Sequence, residues 1–437
     1  MNASSNSPSL ETLVSFCKRR GFVYQSAEIY GGLNGIYDFG PLGVLLKRNL
    51  KMAWLQSLKN HLGPIVEFEG SLLGPQAVWK ASGHIDGFHD PMIDCKNCKR
   101  RFRADELDLS KGCPACGKND WTDIRSFNMM FKTQLGALED AASVAYLRPE
   151  TAQAIFVNFK NVLSTCRVKV PFGIAQIGKA FRNEITPKQF LFRMREFEQM
   201  EIEFFCKPQD ADTTFGFWVQ HRLAFYKAIG LDIQKIRTHP HGKDELAHYS
   251  TACSDVEYQF PFGWKELEGI AHRGSFDLTQ HTNHSGKDLS VYDEETKESF
   301  MPVVIESSVG LDRLFLTVLF DSYCEDTIDG EPRVVLKLHP RLAPIKIAFM
   351  PLVKKLSENL EPLYKSFEAK GISVAWDESG SIGKRYRRQD EIGTPLCITY
   401  DFDSLTDHCV TVRHRDTTTQ ERVAIDKLDA YLEQRLK

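Results

Sequence analysis

FGIAQIGKAFRNEITPKQFLFRMREFEQMEIEFF, residues 172–205, decides the fold. It reads as a β-hairpin: a first strand over 174–181, Arg182-Asn183-Glu184 at its end, a loop over 185–192 containing Pro187, and a second strand over 193–205. Successive strand side chains face opposite ways. Met200, Ile202 and Phe204 therefore share one face and suit a core, while Arg193, Arg195, Phe197, Gln199, Glu201 and Glu203 share the other. On the first strand, Arg182 lies in parity with the short or small residues Ala180, Gly178 and Gln176. The hairpin thus carries a polar floor, with arginines near the loop, an aromatic in the middle and carboxylates beyond. Such a floor suits a nucleoside triphosphate. Arg182 and Arg193 offer planar forks of donors to phosphate oxygens. Phe197 offers a stacking face, and Glu184 and Glu201 can accept from an exocyclic amine or hold a metal. An ordinary solvated hairpin with cross-strand salt bridges has the same composition.

Working outward, residues 303–306 read as a strand and 307–310 as a turn. Leu311, Leu314, Phe315, Val318 and Leu319 then follow at the spacing of an amphipathic helix. Arg313 lies off that apolar set in the first turn, where it and the helix N-terminus would make an anion site; a plain surface arginine is the other reading. Upstream, a Gly-rich stretch over 30–43 predicts a shaped loop, and 44–58 predicts a second amphipathic helix. Residues 1–9 are Ser- and Asn-rich and expected to fray.

Between residues 90 and 125 the chain is short-patterned and charged, as in an insertion. Cys95-Lys-Asn-Cys98 and Cys113-Pro-Ala-Cys116 are separated by fourteen residues. Two such knuckles suit a tetrahedral zinc site closed by four thiolates, and hence a structural one; two redox pairs are the alternative. After the Pro-punctuated stretch 339–344, strands near 345–350, 372–376 and 396–400 and helices near 352–369 and 428–436 predict a small α/β domain.

The whole chain has 437 residues, 42% hydrophobic and 26% charged, with a formal net charge of −3. That is a globular composition long enough for two or three domains, and it excludes a uniformly basic coat. No apolar run reaches membrane-spanning length, and the N-terminus resembles neither a secretory signal nor a transit peptide. Eleven cysteines, four of them clustered, favour a reducing, cytoplasmic compartment over a disulfide framework.

These segments together resemble the three signatures of class II aminoacyl-tRNA synthetases. The helix near 44–58 with the following strand and Pro75 resembles motif 1 (about 44–78). Phe181-Arg-Asn-Glu184 through Arg193, Phe197 and Glu201 resembles motif 2 (about 172–205), and Gly310-Leu-Asp-Arg313 resembles motif 3 (about 303–320). The match is closer still to the homodimeric type of glycyl-tRNA synthetase, whose segments recur as Tyr30-Gly-Gly-Leu33, Tyr37-Asp-Phe-Gly-Pro-Leu-Gly43, Trp79-Lys-Ala-Ser-Gly-His84, Arg148-Pro-Glu-Thr-Ala-Gln153, Phe262-Gly-Trp-Lys-Glu-Leu267 and the Ser381–Pro395 run. The family usually has Gly at Ala154 and Pro at Ser307.

The resemblance implies an α+β fold: a class II catalytic domain over 1–340 with a central antiparallel sheet flanked by helices, the zinc-ribbon insertion at 90–125 within it, and an anticodon-binding domain over 341–437. It implies ATP with Mg²⁺, glycine and tRNA(Gly) as partners, a homodimer, and no membrane. Arg182, Arg193 and Arg313 become the catalytic phosphate-binding groups. The ATP site would also include Asn183, Glu184, Phe192, Arg195, Glu196, Phe197, Glu266, Leu267, Gly310, Leu311 and Asp312. Glycine would meet Arg103, Glu150, Phe197, Gln199, Glu201, Arg273, Glu306 and Ser308. Lys384, Arg385, Arg387 and Arg388, around Tyr386, would touch tRNA, and Cys95, Cys98, Cys113 and Cys116 would hold zinc. Read apart from the likeness, such a basic run is more often a solvated face. Other synthetases of the same subgroup, and a synthetase-like subunit without catalysis, are the competing readings; the three retained arginines speak against the second.

Overall fold

A computed structural model describes residues 8–137, 143–242, 244–247, 250–328 and 330–436. Most of the segment expected to fray, 1–7, lies outside them. The fold is α+β. Its centre is a seven-stranded sheet built from β1 (Ile65–Glu67), β2 (Phe172–Phe181), β3 (Glu196–Cys206), β4 (Ile236–Pro240), β5 (Ala252–Phe260), β6 (Gly263–Gly274) and β7 (Val303–Gly310). The spatial order is β4-β5-β6-β7-β3-β2-β1, antiparallel throughout except for the parallel β2–β1 edge.

The two faces of the sheet do different work. Met200, Ile202 and Phe204 point into the main core, as their parity requires. Against them pack α1 (Leu10–Arg20), α2 (Pro41–Ser57), α4 (Ala211–Ala228) and α6 (Leu311–Ser322) through Phe16, Leu46, Trp54, Trp218 and Phe315. On the opposite face, α3 (Ala152–Thr165) and α5 (Phe276–Ser285) cover only one end, where Phe156, Phe159, Phe172, Ile174 and Phe205 form a second apolar cluster. The uncovered end of that face is left for a site.

Helix ends follow their local chemistry. Ser9 caps α1 by accepting from the Thr12 N–H, and Gly21 ends it at φ 75°. α2 starts at Pro41, three residues earlier than the periodicity indicated, since proline suits a first helical position. The Gly-rich stretch before it is a shaped loop: a Cβ at Gly43 would lie 2.0 Å from the Phe22 carbonyl oxygen, so the chain can cross there only as glycine.

Two boundaries differ from expectation. The second hairpin strand begins at Glu196, because residues Phe190–Phe192 form a short 3₁₀ turn with Gln189 and Phe190 at positive φ. Residues 307–310 are not a turn. They continue β7, paired on both sides with β3 and β6, and the helix starts directly at Leu311.

The C-terminal region is a five-stranded mixed sheet of β8 (Ile347–Pro351), β9 (Val374–Trp376), β10 (Leu396–Tyr400), β11 (Cys409–His414) and β12 (Gln420–Ala424), ordered β9-β8-β10-β11-β12. Helices α7 (Ser357–Ala369), α8 (Ile382–Ile392) and α9 (Leu428–Leu436) pack on it. Sequence patterning found three of these strands and two helices. It missed β11 and β12, which are short, and α8, whose side chains are dominated by charge. A buried ionic knot joins this region to the hairpin Tyr323–Ile328/Glu331–Leu336: Asp390 accepts from Arg333 (3.1 Å) and from both Arg413 Nη atoms (2.8 and 2.9 Å). Arg415 donates to the Leu338 and Gly393 carbonyls.

Candidate functional site

The uncovered end of the sheet floors a cavity of about 450 Å³. Its lining includes Arg182, Arg193 and Arg313, Phe192 and Phe197, and at the other end Glu150, Gln199, Glu201, Arg273, Glu306 and Ser308. The three guanidinium groups and the carboxylates therefore share one space. Strand register accounts for this: Gln199 sits opposite Gly310, Glu201 opposite Ser308 and Glu203 opposite Glu306.

Each arginine is held but not consumed. Arg182 donates through Nε to the Pro149 carbonyl (3.0 Å), with its guanidinium 5.3 Å from the centre of Phe197. Arg193 makes a 3.4 Å contact with Glu106, which also pairs with Lys188. Arg313 donates to the Glu266 carbonyl (2.8 Å), approaches the Glu266 carboxylate at 3.3 Å and lies 4.3 Å over Phe192. Such pairs leave donors available for phosphate oxygens.

The acidic end is buried and tightly wired. Arg273 bonds Asp277 with two nitrogens (2.7 and 2.9 Å) and Glu306 with a third. Gln153 ties Glu150 (3.0 Å) to Asp277 (3.1 Å), and His84 approaches Glu150 at 3.3 Å. The Thr151 hydroxyl donates to Glu201. Burial works against the charge on every one of these acids, and the partners decide the outcome. Burial would raise Glu150, yet His84 and Arg273 hold its carboxyl well below the usual range. Burial, then Glu306 and Glu150, push Glu201 up to about 8. Burial also raises Glu306, against the pull of Arg273.

Several residues assigned from sequence stand elsewhere. Asp312 borders the cavity, but its carboxylate is engaged by Lys47 (2.7 Å) and the Glu198 N–H, so it fastens α6 to β3. Leu267 and Leu311 are core residues. Glu196 faces away and pairs with Lys179. Arg195 braces the loops, donating to the Glu184 and Asn34 carbonyls. Asn183 does not line the cavity; its N–H bonds the Met129 carbonyl. Arg103 is also outside the lining, paired with Asp90 (3.0 Å) and Asp105 (2.7 Å) and close to Glu106. Glu184, Glu266 and Gly310 do line it. Sequence reasoning gave no role to His84, Thr151, Gln153 and Asp277. Arg148-Pro-Glu-Thr-Ala-Gln153 and Trp79-Lys-Ala-Ser-Gly-His84 contained three of them, but nothing in spacing pairs His84 with Glu150 across the fold.

The departures at Ala154 and Ser307 are accommodated. Ser307 points to the other face of the sheet and donates to Glu268, which also binds Arg222 and Tyr226 there. Glu306 and Ser308 therefore keep their strand register. Ala154 sits against Gly70, where an added Cβ would approach its methyl at 2.5 Å.

The four cysteines of the insertion converge, with Sγ–Sγ separations of 3.6 Å (Cys95–Cys116) and 3.7 Å (Cys98–Cys113), and all four thiol sulfurs lie within 4.8 Å of one another. Thiolates ~2.3 Å from a tetrahedral ion stand at about these separations, so the donor set fits zinc. The basic run at 384–388 fits its expected role poorly. It lies on α8, where Arg385 is buried and donates to the Gly380 and Pro351 carbonyls, and Arg388 is paired with Asp377 (2.7 Å). Tyr386 is buried against Thr399, so it offers no stacking face. Only Lys384 is fully on the surface, with Arg387 half-buried. The cause is helical periodicity, which turned Arg385 and Tyr386, with Gln389 and Asp390 one turn on, inward.

Comparison with known proteins agrees with this geometry. The family model "tRNA synthetase class II core domain (G, H, P, S and T)" matches residues 131–323, and "Anticodon binding domain" matches residues 346–435. The chain is 51% identical to the glycine–tRNA ligase of Caldanaerobacter subterraneus subsp. tengcongensis, covering 98% of both chains. It is 50% identical to that of Alkaliphilus oremlandii, again over 98% of both. With the enzyme of Borreliella burgdorferi it shares 51% identity over 97% of this chain and 96% of the other. A sheet floor with three arginines at one end and wired carboxylates at the other, in a chain half identical to these relatives throughout, belongs to the glycine–tRNA ligase family of class II aminoacyl-tRNA synthetases.

Proposed function

We propose that this protein attaches glycine to tRNA(Gly) in two steps within the one cavity. The glycine carboxylate oxygen attacks the α-phosphorus of ATP; a C–O–P bond forms, the bond to the β-phosphate oxygen breaks, and pyrophosphate leaves. A terminal ribose hydroxyl of the tRNA then attacks the activated carbonyl, and AMP leaves. Arg182 neutralises charge growing on the α-phosphate, Arg193 and Arg313 grip the β- and γ-phosphates, and Phe197 stacks the adenine. Glu266, beside Arg313, faces the triphosphate and the Mg²⁺ it brings. No side chain need become covalently attached; positioning and fixed charge supply the rate.

Glycine offers only an ammonium and the lack of a side chain to recognise. Glu150 and Glu306 hold the ammonium with Ser308 beside them, while Glu201, Gln199 and Arg273 close the surrounding wall, against which a methyl group clashes. The observation that carries this reading is the shared cavity of Arg182, Arg193, Arg313, Glu150 and Glu306. ATP–pyrophosphate exchange with each amino acid in turn tests it. Exchange with glycine alone is expected; equal exchange with threonine, serine, proline or histidine would defeat it.

The four thiolates hold a structural zinc, supported by their donor set and convergence. That ion stiffens the insertion whose Glu106 touches Arg193. A homodimer is supported by apolar residues left in solvent, Ile29 (90% exposed), Tyr30 (88%) and Leu33 (52%) among them. Light scattering at twice the chain mass is the expected result. The C-terminal region binds tRNA, through a surface that includes Lys384 and Arg387 rather than the whole basic run. No described helix is long and apolar enough to cross a membrane, and eleven cysteines without a disulfide suit the cytoplasm.

A further inference from the structure

Glu203 takes no part in the chemistry above, yet it is a fully buried acid. Its side chain is 0% exposed, and neither carboxyl oxygen has a hydrogen-bond partner among the described residues. It stands at the seam of the sheet face. Beyond it on the same strand, Phe205, and opposite it on β2, Ile174, belong to the apolar cluster under α3 and α5. On the cavity side one oxygen of Glu203, one of Glu201 and one of Glu306 lie within 4.8 Å of one another.

An ionised carboxylate at that point would have no favourable neighbour to itself. The charged groups facing it are Glu201 on its own strand, Glu306 directly opposite on β7, Arg273 on β6 and Asp277 on α5. Arg273 already serves Asp277 and Glu306. An unpaired buried charge costs several kcal/mol, and such groups neutralise instead. Burial, reinforced by Glu306, moves the Glu203 carboxyl well above the ordinary range.

We propose that Glu203 is a positioning residue of the amino-acid pocket: it stays protonated and donates that proton to Glu306, fixing the carboxylate that receives the substrate's ammonium. Arg273 occupies Oε2 of Glu306. The second oxygen is then oriented by Glu203 and shared with the ammonium. The proton remains on Glu203 throughout the reaction; no bond is made or broken there. The arrangement also limits negative charge in the pocket, because two carboxylates this close share one proton rather than both ionise.

The inference rests on the assignment of Glu306 to the ammonium, so the test separates the two. Glycine-dependent exchange is measured for Glu306→Gln, Glu203→Gln and Glu203→Leu, with KM for glycine and ATP and kcat determined across pH. Glu306→Gln is expected to raise the glycine KM; a wild-type value refutes the pocket assignment and this inference with it. Given that rise, Glu203→Gln, a neutral donor of the same shape, is expected to keep the glycine KM within about threefold of wild type and leave its pH profile unchanged. Glu203→Leu, which fills the space without a donor, is expected to raise it about tenfold or more, as losing a hydrogen bond to a charged group does, with the ATP KM unmoved. Equal impairment of both Glu203 variants means an ionised carboxylate is needed, and equal wild-type behaviour means the residue is inert; either overturns the inference alone. Infrared difference spectroscopy supplies a readout independent of turnover and of the leucine variant's folding. Because Glu201 is also protonated near neutral pH, the comparison is made in the Glu201→Gln background: a protonated-carboxyl band is expected there and lost when Glu203→Gln is added; its persistence would overturn the inference.

Discussion

Replacing Arg273 by glutamine should switch the amino-acid pocket off by protonation rather than by a change of shape. Arg273 is 2% exposed and pairs with both Asp277 and Glu306. Burial already raises the Glu306 carboxyl, and Arg273 is the chief force holding it down. With a neutral amide in its place, Glu306 moves further toward its protonated form, and the substrate's ammonium loses an ionised acceptor. A hydrogen bond to a charged group contributes about 1.5–3 kcal/mol. At about 1.4 kcal/mol per decade, that is about 10- to 150-fold in the glycine KM. The sign of the pH effect follows. Glu306 ionises as pH rises, so the deficit shrinks with increasing pH. The assay is ATP–pyrophosphate exchange at varied glycine and pH, with circular dichroism confirming the fold. A KM within about twofold of wild type near pH 7, or a deficit that fails to shrink with pH, refutes the reasoning.

Further outcomes follow from the same contacts. In the wild-type enzyme Glu201 gains charge as pH climbs through about 8, so the glycine KM should fall over that interval and Glu201→Gln should flatten the profile; a flat wild-type profile contradicts this. Arg182→Ala and Glu150→Ala should each abolish glycine-dependent exchange with the fold intact, and near-normal exchange in either removes its assigned role. Purified protein should carry about one zinc per chain by elemental analysis, lost in Cys113→Ser together with thermal stability and, through Glu106 and Arg193, with a raised KM for ATP; an unchanged metal content counts against the site. Asp390→Ala leaves Arg333 and Arg413 without their buried partner and should cost about 3–5 kcal/mol in urea unfolding, where a loss below about 1 kcal/mol would contradict the structural role. The same knot makes removal of residues 341–437 a disruptive cut, since Arg333 would lose Asp390 and the Arg415 carbonyl.

The polar floor of the cavity was legible because a strand has a period of two, and residues 199–204 divide by parity into an apolar set and a polar set. That division survives even though β3 begins at Glu196. The four cysteines were legible because their ligand chemistry depends on short spacing. Residues whose roles depend on distant partners were harder to read. His84 meets Glu150 across 66 positions of chain, and Asp312 looks like a site residue until Lys47 is seen to occupy it. The run at 384–388 misled for a related reason. Charge suggested a surface, but a helix of charged residues can turn half of them inward when carbonyls and carboxylates such as Pro351 and Asp377 await them. Charge also hid α8, whose apolar positions are interrupted by basic residues and by Asp390 of the ionic knot, while β11 and β12 are short and carry few strongly apolar residues.

The central claim is that three guanidinium groups hold a triphosphate beside a carboxylate pocket for one ammonium. A crystal structure with glycine and a non-hydrolysable ATP analogue tests it most directly. The account predicts phosphate oxygens in hydrogen-bond contact with Arg182, Arg193 and Arg313, the adenine over Phe197, and the ammonium between Glu150 and Glu306. A triphosphate bound away from those arginines, or glycine bound with its ammonium away from both carboxylates, would contradict it.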